Sequence, residues 1–504
     1  MYQISISTMT PEAIMRKQAF KRLRPRNTMT EAKTGLPVGN GWSQCQPAGD
    51  PLIYDLYTQA DFMREYEVNA HKINSLKYYP DILFGASKTK ITQKIRSRVS
   101  IGFQQRIHTK RLTALIGNNV SMRLIKSGGG KTDTLARFRD GWEEKDMEIA
   151  VHEAISADGK TGDCAVCFYL SNGKTGWRTF SYENGDTLYP HYDPATGELA
   201  LFGRLYSTLA DDGKCADYLD VWDTVNYMRY RRDPENGGWA IDMRPEPHKF
   251  AECPVAYHRY GNPFWTPSQD LIDAYELALS QFCENNAAYA LRILYTMGQT
   301  MEVKASIDGT PQRIDSPDPN SKVGFLEPAD ASNSFTQQLS IMERDIMRSS
   351  FAVETPEIKS GADMSSLTVK MLFADTYLKA LEDSQNYQKF LSRITRLFKY
   401  GYGVETEKVT ELSQFKVKAE LAPFIFMSET EIVNSIVQLV GSGVMSRRTA
   451  SEIAYESGYG TADEWDRIIN EAHDEYAVTQ NVAQAQSLDV VTDARKEGQN
   501  GKQS

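Results

Sequence analysis

Between residues 266 and 398 the apolar positions recur at helical spacing in three separate stretches. In the first, Leu271, Tyr275, Ala278, Phe282, Tyr289 and Ile293 fall three, four or seven residues apart, while Asp273, Glu276, Ser280 and Glu284 fall on another face. This pattern predicts an amphipathic helix opened by Thr266 as cap, Pro267 at the first helical position and Gln269 completing a capping box. Continued through Thr296, it would be about 45 Å long at ~1.5 Å per residue, too long for a small soluble domain to bury without neighbours, of which copies of itself are one source. From Gly298 to Asn333 the punctuation of Gly309, Pro311, Pro317, Pro319, Gly324 and Pro328 predicts a small strand-and-turn module. Ser334 with Gln337 repeats the capping-box pattern, and Phe335, Leu339, Met342 and Ile346 give a second helix its stripe, running back beside the first. Pro356 disfavours helix at Thr355, so residues 356–366 read as a loop. A third helix follows, with Leu367, Met371, Ala374, Leu378, Leu381, Leu391 and Ile394 on its apolar side.

Outside this region the organisation is coarser. Residues 1–53 mix a basic cluster (Arg16, Lys17, Lys21, Arg22, Arg24, Arg26) with Pro and Gly and read as an arm ordered only through contacts. Helical patterns dominate from Tyr54 to about Arg139, and strands from Asp163 to Tyr260, with turns at Asn172-Gly173 and over Asp193 to Gly197. Past Phe398 an ambiguous segment reaches Pro423; Ser428 with Glu431, then Ser446, then Thr461 with Glu464 open short helices. The last stretch, from about Val478, has few large apolar residues and is expected to be disordered. The whole is a mixed α+β chain.

At 504 residues, with 41% apolar and 24% charged residues, the chain can bury a large core. It contains neither the apolar core of a secretory signal nor a run of roughly 18 apolar residues that would span a bilayer, so a soluble protein made in the cytoplasm is expected. Six scattered cysteines point to reduced thiols. Cys164 and Cys167 have zinc-like spacing, but strand alternation puts them on opposite faces, which favours buried structural thiols over a metal site. The net charge of −9 hides an asymmetry: residues 82–132 hold eleven Lys or Arg and no acid, so the rest of the chain carries −20. Such a basic stretch suits nucleic acid, or equally an acidic neighbouring surface or subunit.

Motif chemistry points away from an enzyme. Three Gly-Lys-Thr triplets, beginning at Gly130, Gly159 and Gly173, lack the glycine five positions earlier that a phosphate-cradling loop needs; Ile125, Ala154 and Phe168 stand there instead. The seven histidines show no metal-binding spacing, and no G-x-S-x-G elbow occurs. No cofactor and no metal are therefore expected.

The residues resemble a known family, the portal proteins of tailed bacteriophages, particularly the siphophage-type subgroup. The resemblance is carried by Asp270 to Tyr275 with Asn285-Asn286 downstream, by Pro356 followed by Ser360-Gly361 and Leu367 to Lys370, and by Leu378 to Glu382; it extends more weakly from about Tyr78 to about Glu475. In that subgroup an SG-x-A-L-K-like motif introduces the long helix, and here two extra residues and Thr368-Val369 interrupt it.

The resemblance implies a dodecameric ring at one capsid vertex of the virion, with a channel for packaging and ejecting double-stranded DNA. Its parts would be an N-terminal arm (1–53), a first part of the wing (54–265), a stem helix (266–297), a small α/β clip (298–333), a second stem helix (334–352), a tunnel loop (353–366), the long helix with the second part of the wing (367–422), a helical crown (423–476) and a tail (477–504). Implied partners are further copies of the chain, the terminase large subunit, head-completion or tail-adaptor proteins, and the major capsid and scaffolding proteins, with no membrane. Lys304, Arg313 and Lys322 are the clip's candidates for partner binding. Lys359, Ser360, Gly361 and Asp363 in the loop, and Lys370 just after it, are candidates for brief contacts with DNA or for loop mobility, a surface salt bridge being the alternative for Lys370. Residues 266–333 hold ten acids against four bases, and an acidic bore would let DNA slide where a basic one would grip it. Asp273, Glu276 and Glu284 are accordingly expected to face the lumen or its rim, or else to be solvated outer-face residues. The alternative from another class is a non-channel virion adaptor or scaffold protein, and a nucleic-acid-processing enzyme ranks below both.

Overall fold

In the computed structural model, residues 9–15, 20–25, 54–87, 90–125, 132–209, 215–233, 237–290, 293–297, 322–326, 332–352, 371, 373–414, 416–423, 429–456 and 464–473 are described. The chain divides into two compact units, Met1–Glu357 with Leu372–Phe424, and Ile358–Met371 with Ile425–Ser504.

Ahead of its longer helices the first unit has a short helix, Pro11–Ile14, and two antiparallel strands, Phe20–Pro25 and Tyr54–Tyr57, and a strand pair, Ile82–Ser87 with Lys90–Lys94, interrupts the stretch expected to be mainly helical. Gln59–Tyr66 (α1) starts at a complete capping box between Thr58 and Asp61, and Phe103–Ile116 (α2), Thr132–Glu144 (α3) and Met147–Thr161 (α4) follow. Helix α4 is a central pillar: Ala150, Val151, Ala154 and Ile155 are all buried, and Gly162 in the left-handed conformation ends it, its N–H on the Asp158 carbonyl.

Strands Cys164–Ser171 (β1) and Lys174–Phe180 (β2) form a hairpin whose two-residue turn, Asn172-Gly173, has positive φ at both positions. That turn matches the right-handed twist of the strands, which is why an Asn-Gly pair sits there. Thr187–Tyr192 (β3), Leu199–Leu209 (β4), Cys215–Trp222 (β5), Asn226–Arg232 (β6) and Trp239–Pro247 (β7) form an antiparallel meander in the order β7-β6-β5-β4-β3. The β3–β4 turn is fixed by the Gly197 N–H on the Asp193 carbonyl (2.8 Å). Val255–His258 (β8) returns to pair with β1, completing a three-stranded sheet. The two cysteines of β1 behave as alternation requires. Cys164 belongs to the core shared with α4 and the long helix described below, and Cys167 to a second core with Phe202 and Trp222. Burial raises both thiols well above the ordinary value, leaving neither as a ready metal ligand.

Helix Gln269–Ala290 (α5) follows a single 3₁₀ turn at Thr266–Ser268. It stops short of the expected Thr296, because Ile293–Met297 is a strand (β9) paired antiparallel with Lys322–Leu326 (β10). The run Ile293-Leu294-Tyr295-Thr296 is β-branched and aromatic, and there strand preference overrides the helical register. Ser332–Ser349 (α6) begins two residues before the expected cap. Ala374–Glu405 (α7), 32 residues and about 48 Å at ~1.5 Å per residue, runs past the expected Phe398, and Val409–Gln414 (α8) packs on its C-terminal end. Tyr387, Phe390, Leu391, Ile394, Leu397 and Phe398 of α7 fill the main core together with Phe138 and Trp142 of α3 and Met147 of α4.

In the second unit Glu429–Gly441 (α9) and Arg447–Glu456 (α10) form a helical pair, and Ser446 caps α10 by accepting from the Thr449 N–H (3.1 Å). The start of α9 at Ser428 and the cap at Thr461 lie outside the described residues.

Candidate functional site: the paired helices and their anchorage

Helices α5 and α6 lie antiparallel. At one end the Ser268 hydroxyl meets the Ile346 carbonyl (2.7 Å) and the Ser349 hydroxyl (2.8 Å); toward the other, the rings of Phe282 and Phe335 are 5.4 Å apart. Their shared core holds Trp265, Ile272, Tyr275, Ile346 and Met347, closed from below by Phe103 and Ile107 of α2. The insertion between them is pinched at its base by the β9–β10 pair, so the chain leaves and re-enters the helix pair through one two-stranded gate.

The acidic face of α5 does not stand open. Glu276 is 1% exposed, and its Oε1 faces His71 Nδ1 (2.6 Å) while accepting from the Ile101 N–H (2.8 Å). Ser280 accepts from the Val99 N–H (3.0 Å). Glu284 accepts from the Tyr79 hydroxyl (2.9 Å) and lies 3.8 Å from Arg96. Asp273 accepts from Gln269 (2.8 Å), with Lys72 at 3.5 Å. This corrects the expected lumenal or solvated placement outright for Glu276, and shows Asp273 and Glu284 turned toward residues 71–101. The reason is backbone chemistry. Residues 95–101 form neither helix nor strand, so once packed their N–H groups need acceptors, and α5 supplies them. Periodicity sees a polar face but not the irregular backbone that will cover it.

The exposed positions of α6 include Ser334, Gln337, Gln338, Ser340, Ile341, Arg344 and Arg348, with the carboxylates of Glu343 and Asp345 half-exposed among them. Where α6 ends, the Ala352 N–H bonds the Met347 carbonyl (2.9 Å) and the Phe351 N–H the Arg348 carbonyl (3.0 Å), a Schellman close with Phe351 at φ 57° in the place usually held by glycine. Thr376 of α7 ties to it through the Phe351 carbonyl (2.8 Å).

The root of α7 is held by a buried charge network. Arg111 of α2 and Asp383 of α7, with side chains 5% and 4% exposed, meet at 2.5 Å. Tyr260 donates its hydroxyl to Asp383 (2.9 Å), Lys379 lies 3.2 Å away, and Arg111 also donates to the Phe264 carbonyl (2.9 Å) across that residue's ring. One turn on, Tyr387 donates to Asp158 of α4 (2.7 Å), which also faces His258 Nδ1 (2.7 Å).

Among the described residues of the basic stretch 82–132, five arginines meet acids of the same chain, Arg98 and Arg111 buried or nearly so and Arg106 and Arg123 open to solvent. Arg96, Arg98, Arg106, Arg111 and Arg123 lie against Glu284, Asp81, Glu343, Asp383 and Glu420 of the same chain. These acids come from distant positions as well as near ones, which composition could not reveal. Of the Gly-Lys-Thr triplets, Gly159 lies inside α4 against Phe264 and Gly173 in the β1–β2 turn. Among the described residues no group of three or more His, Cys, Asp or Glu is arranged to hold a metal ion, and no helix is long and apolar enough to cross a membrane. Lys304, Arg313, Lys359, Ser360, Gly361, Asp363 and Lys370 lie outside the described residues; Lys322 opens β10 opposite Met297.

Paired helices around a strand-closed insertion, carried on a mixed helix-and-sheet body and followed by a long anchored helix, define an α+β protein. The sequence model of the family described as phage portal protein, SPP1 Gp6-like, matches residues 54–469, and the chain belongs to that family. No curated protein matches the chain.

Proposed function

We propose that this portal protein forms a dodecameric ring at one capsid vertex of the virion and conducts double-stranded DNA during packaging and ejection. In this reading α5 and α6 are the stem, the insertion between them is the clip that meets the terminase large subunit and later the head-completion or tail-adaptor proteins, and the β-rich region is the wing held by capsid and scaffolding proteins. The observation that carries it is the order α5, closed insertion, α6, long α7, within a chain whose family is that of phage portals.

The stem's contact with passing DNA falls to α6. In its first half the exposed side chains Ser334, Gln337, Gln338 and Ser340 are uncharged and offer phosphates no counterion release, so a duplex slides there, while Arg344 and Arg348 near its end are exposed cations. Asp273, Glu276 and Glu284 instead hold α5 on the body. Lys359 and Lys370 keep their proposed role as brief phosphate contacts, and Ser360, Gly361 and Asp363 theirs in loop mobility. In the clip, Lys304, Arg313 and Lys322 remain the proposed partner-binding residues.

The test is a packaging assay with the motor and photo-cross-linkers placed in the insertion, at Lys304 or Arg313. Adducts to the terminase large subunit that form only during packaging are expected. Adducts to capsid protein alone would reject the docking role, and normal DNA filling by heads lacking this chain would reject the conduit.

A further inference from the structure

The far face of the five-stranded meander has a core of its own. Along that face Tyr189, Gly203, Val221 and Met228 stand opposite one another across β3 to β6, with Leu205, Leu219 and Tyr230 in the next row. The other face carries Phe202 and Trp222 into the body's second core. Gly203 therefore leaves a dimple in the middle of an apolar row, as a strand glycine does where another segment of chain approaches closely. Ile14 fills it: the side chain is fully buried, and a methyl added at Gly203 would lie 2.8 Å from its Cγ2. On the edge strand β3, His191 donates from Nε2 to the Ile14 carbonyl (2.8 Å).

Every member of this core belongs either to the meander or to residues 9–15, with Met9 and Met15 completing it from the segment's side. The segment is a four-residue helix, Pro11–Ile14, capped by Thr10. A single helical turn does not stand alone in water, because nucleation costs more than its few hydrogen bonds return, so the sheet is what orders it. The strand that follows, Phe20–Pro25, pairs with Tyr54–Tyr57 in a separate two-stranded sheet. The main holds, one fully buried side chain and one hydrogen bond to a carbonyl, are few against the entropy of fixing a whole segment, so the contact opens locally while the sheet stays folded. Because these contacts run through residues 9–15 themselves, the same segment of a second copy offers the meander an identical set.

We propose that the far face of the meander is a docking site for residues 9–15 that takes this segment from a second copy of the chain as well as from its own. The ligand is a short peptide with a β-branched side chain for the Gly203 dimple and a backbone carbonyl for His191. The site does not depend on the DNA-conduit reading. Its test is fluorescence anisotropy of a labelled synthetic peptide spanning residues 8–16, titrated with the full chain carrying Ile14→Asp, whose own segment no longer seats because an apolar dimple excludes a carboxylate. That chain should keep the wild-type thermal midpoint and bind the peptide saturably. Binding should be at least about tenfold weaker to the unaltered chain, whose face is occupied, and to the Ile14→Asp chain when the peptide's isoleucine becomes alanine or when Gly203→Ala is added. In the unaltered chain, amide hydrogen exchange at Ile14 and Met15 should outpace that at Leu219 and Val221. Collapse of the Ile14→Asp chain, or equal exchange protection, would overturn the proposal by making the segment an inseparable part of the core. Absence of saturable binding, or binding indifferent to Gly203→Ala or to the chain's own Ile14, would overturn it by leaving this face without a peptide site.

Discussion

Replacing Asp383 by alanine tests whether the root of the long helix is held by charge. The wild-type carboxylate, 4% exposed, takes Arg111 at 2.5 Å and the Tyr260 hydroxyl at 2.9 Å, with Lys379 at 3.2 Å. In the variant the guanidinium stays charged and buried, because arginine does not shed its proton in a protein. Removing one member of such a pair costs about 3–5 kcal/mol. The lower end applies here: Arg111 keeps the Phe264 carbonyl at 2.9 Å and the face of that ring, and Lys379 reaches partly into solvent. About 3 kcal/mol, at roughly 2 °C per kcal/mol for a large domain, lowers the thermal midpoint by about 6 °C in scanning calorimetry. Arg111→Met with Asp383→Leu should recover most of the loss, since an apolar pair of similar volume leaves no stranded charge. A midpoint within a degree of wild type for Asp383→Ala, or a double variant no better than the single, would refute the reasoning and rank this contact with surface ion pairs.

Three further outcomes follow from the packing. Glu276→Gln should cost about 1–2 kcal/mol, since an acceptor for the Ile101 N–H remains, whereas Glu276→Lys should fail to give soluble protein because it buries a cation with no carboxylate against His71; wild-type stability of the lysine variant in urea unfolding would mean that the side chain faces water. His108, wedged against Tyr66 and Phe264 with Nε2 on the Ser156 carbonyl, has its pKa lowered by burial to about 4. Between pH 6.5 and about 4 the unfolded chain binds a proton there that the folded chain does not, so this residue's contribution is intact above pH 6.5 and falls with acid, by about 3 kcal/mol in all; unfolding free energies measured from pH 7 to 4 should lose that component of slope in His108→Phe. Gly159→Ala gains about 1 kcal/mol of helix propensity, but its methyl would sit 2.5 Å from the fully buried Phe264 ring, so a net loss of about 1–2 kcal/mol is expected in the same unfolding measurement, and a stabilised variant would show that the ring can move.

What the sequence made legible was local. The Asn172-Gly173 hairpin, the opposite faces of Cys164 and Cys167 and the return of the second helix beside the first all follow from turn chemistry or from periods of two and 3.6. What it hid was non-local. Glu276 looked like a surface acid because its partners, His71 between two 3₁₀ turns and the Ile101 N–H in the irregular segment 95–101, lie about two hundred residues away. Arg111 looked like part of a free basic stretch because Asp383 approaches only once α2 and α7 have docked. The end of α5 was misplaced for a different reason: helix and strand readings share Ile293 as an apolar position, and only its pairing with Leu326 decides between them.

If each copy contributes its α5–α6 pair to the wall of an open axis, as proposed, class averages of the purified full chain by electron cryomicroscopy show twelvefold rings with a central hole wide enough for a DNA duplex. Particles with a filled centre, or single copies that never close into a ring, would contradict it.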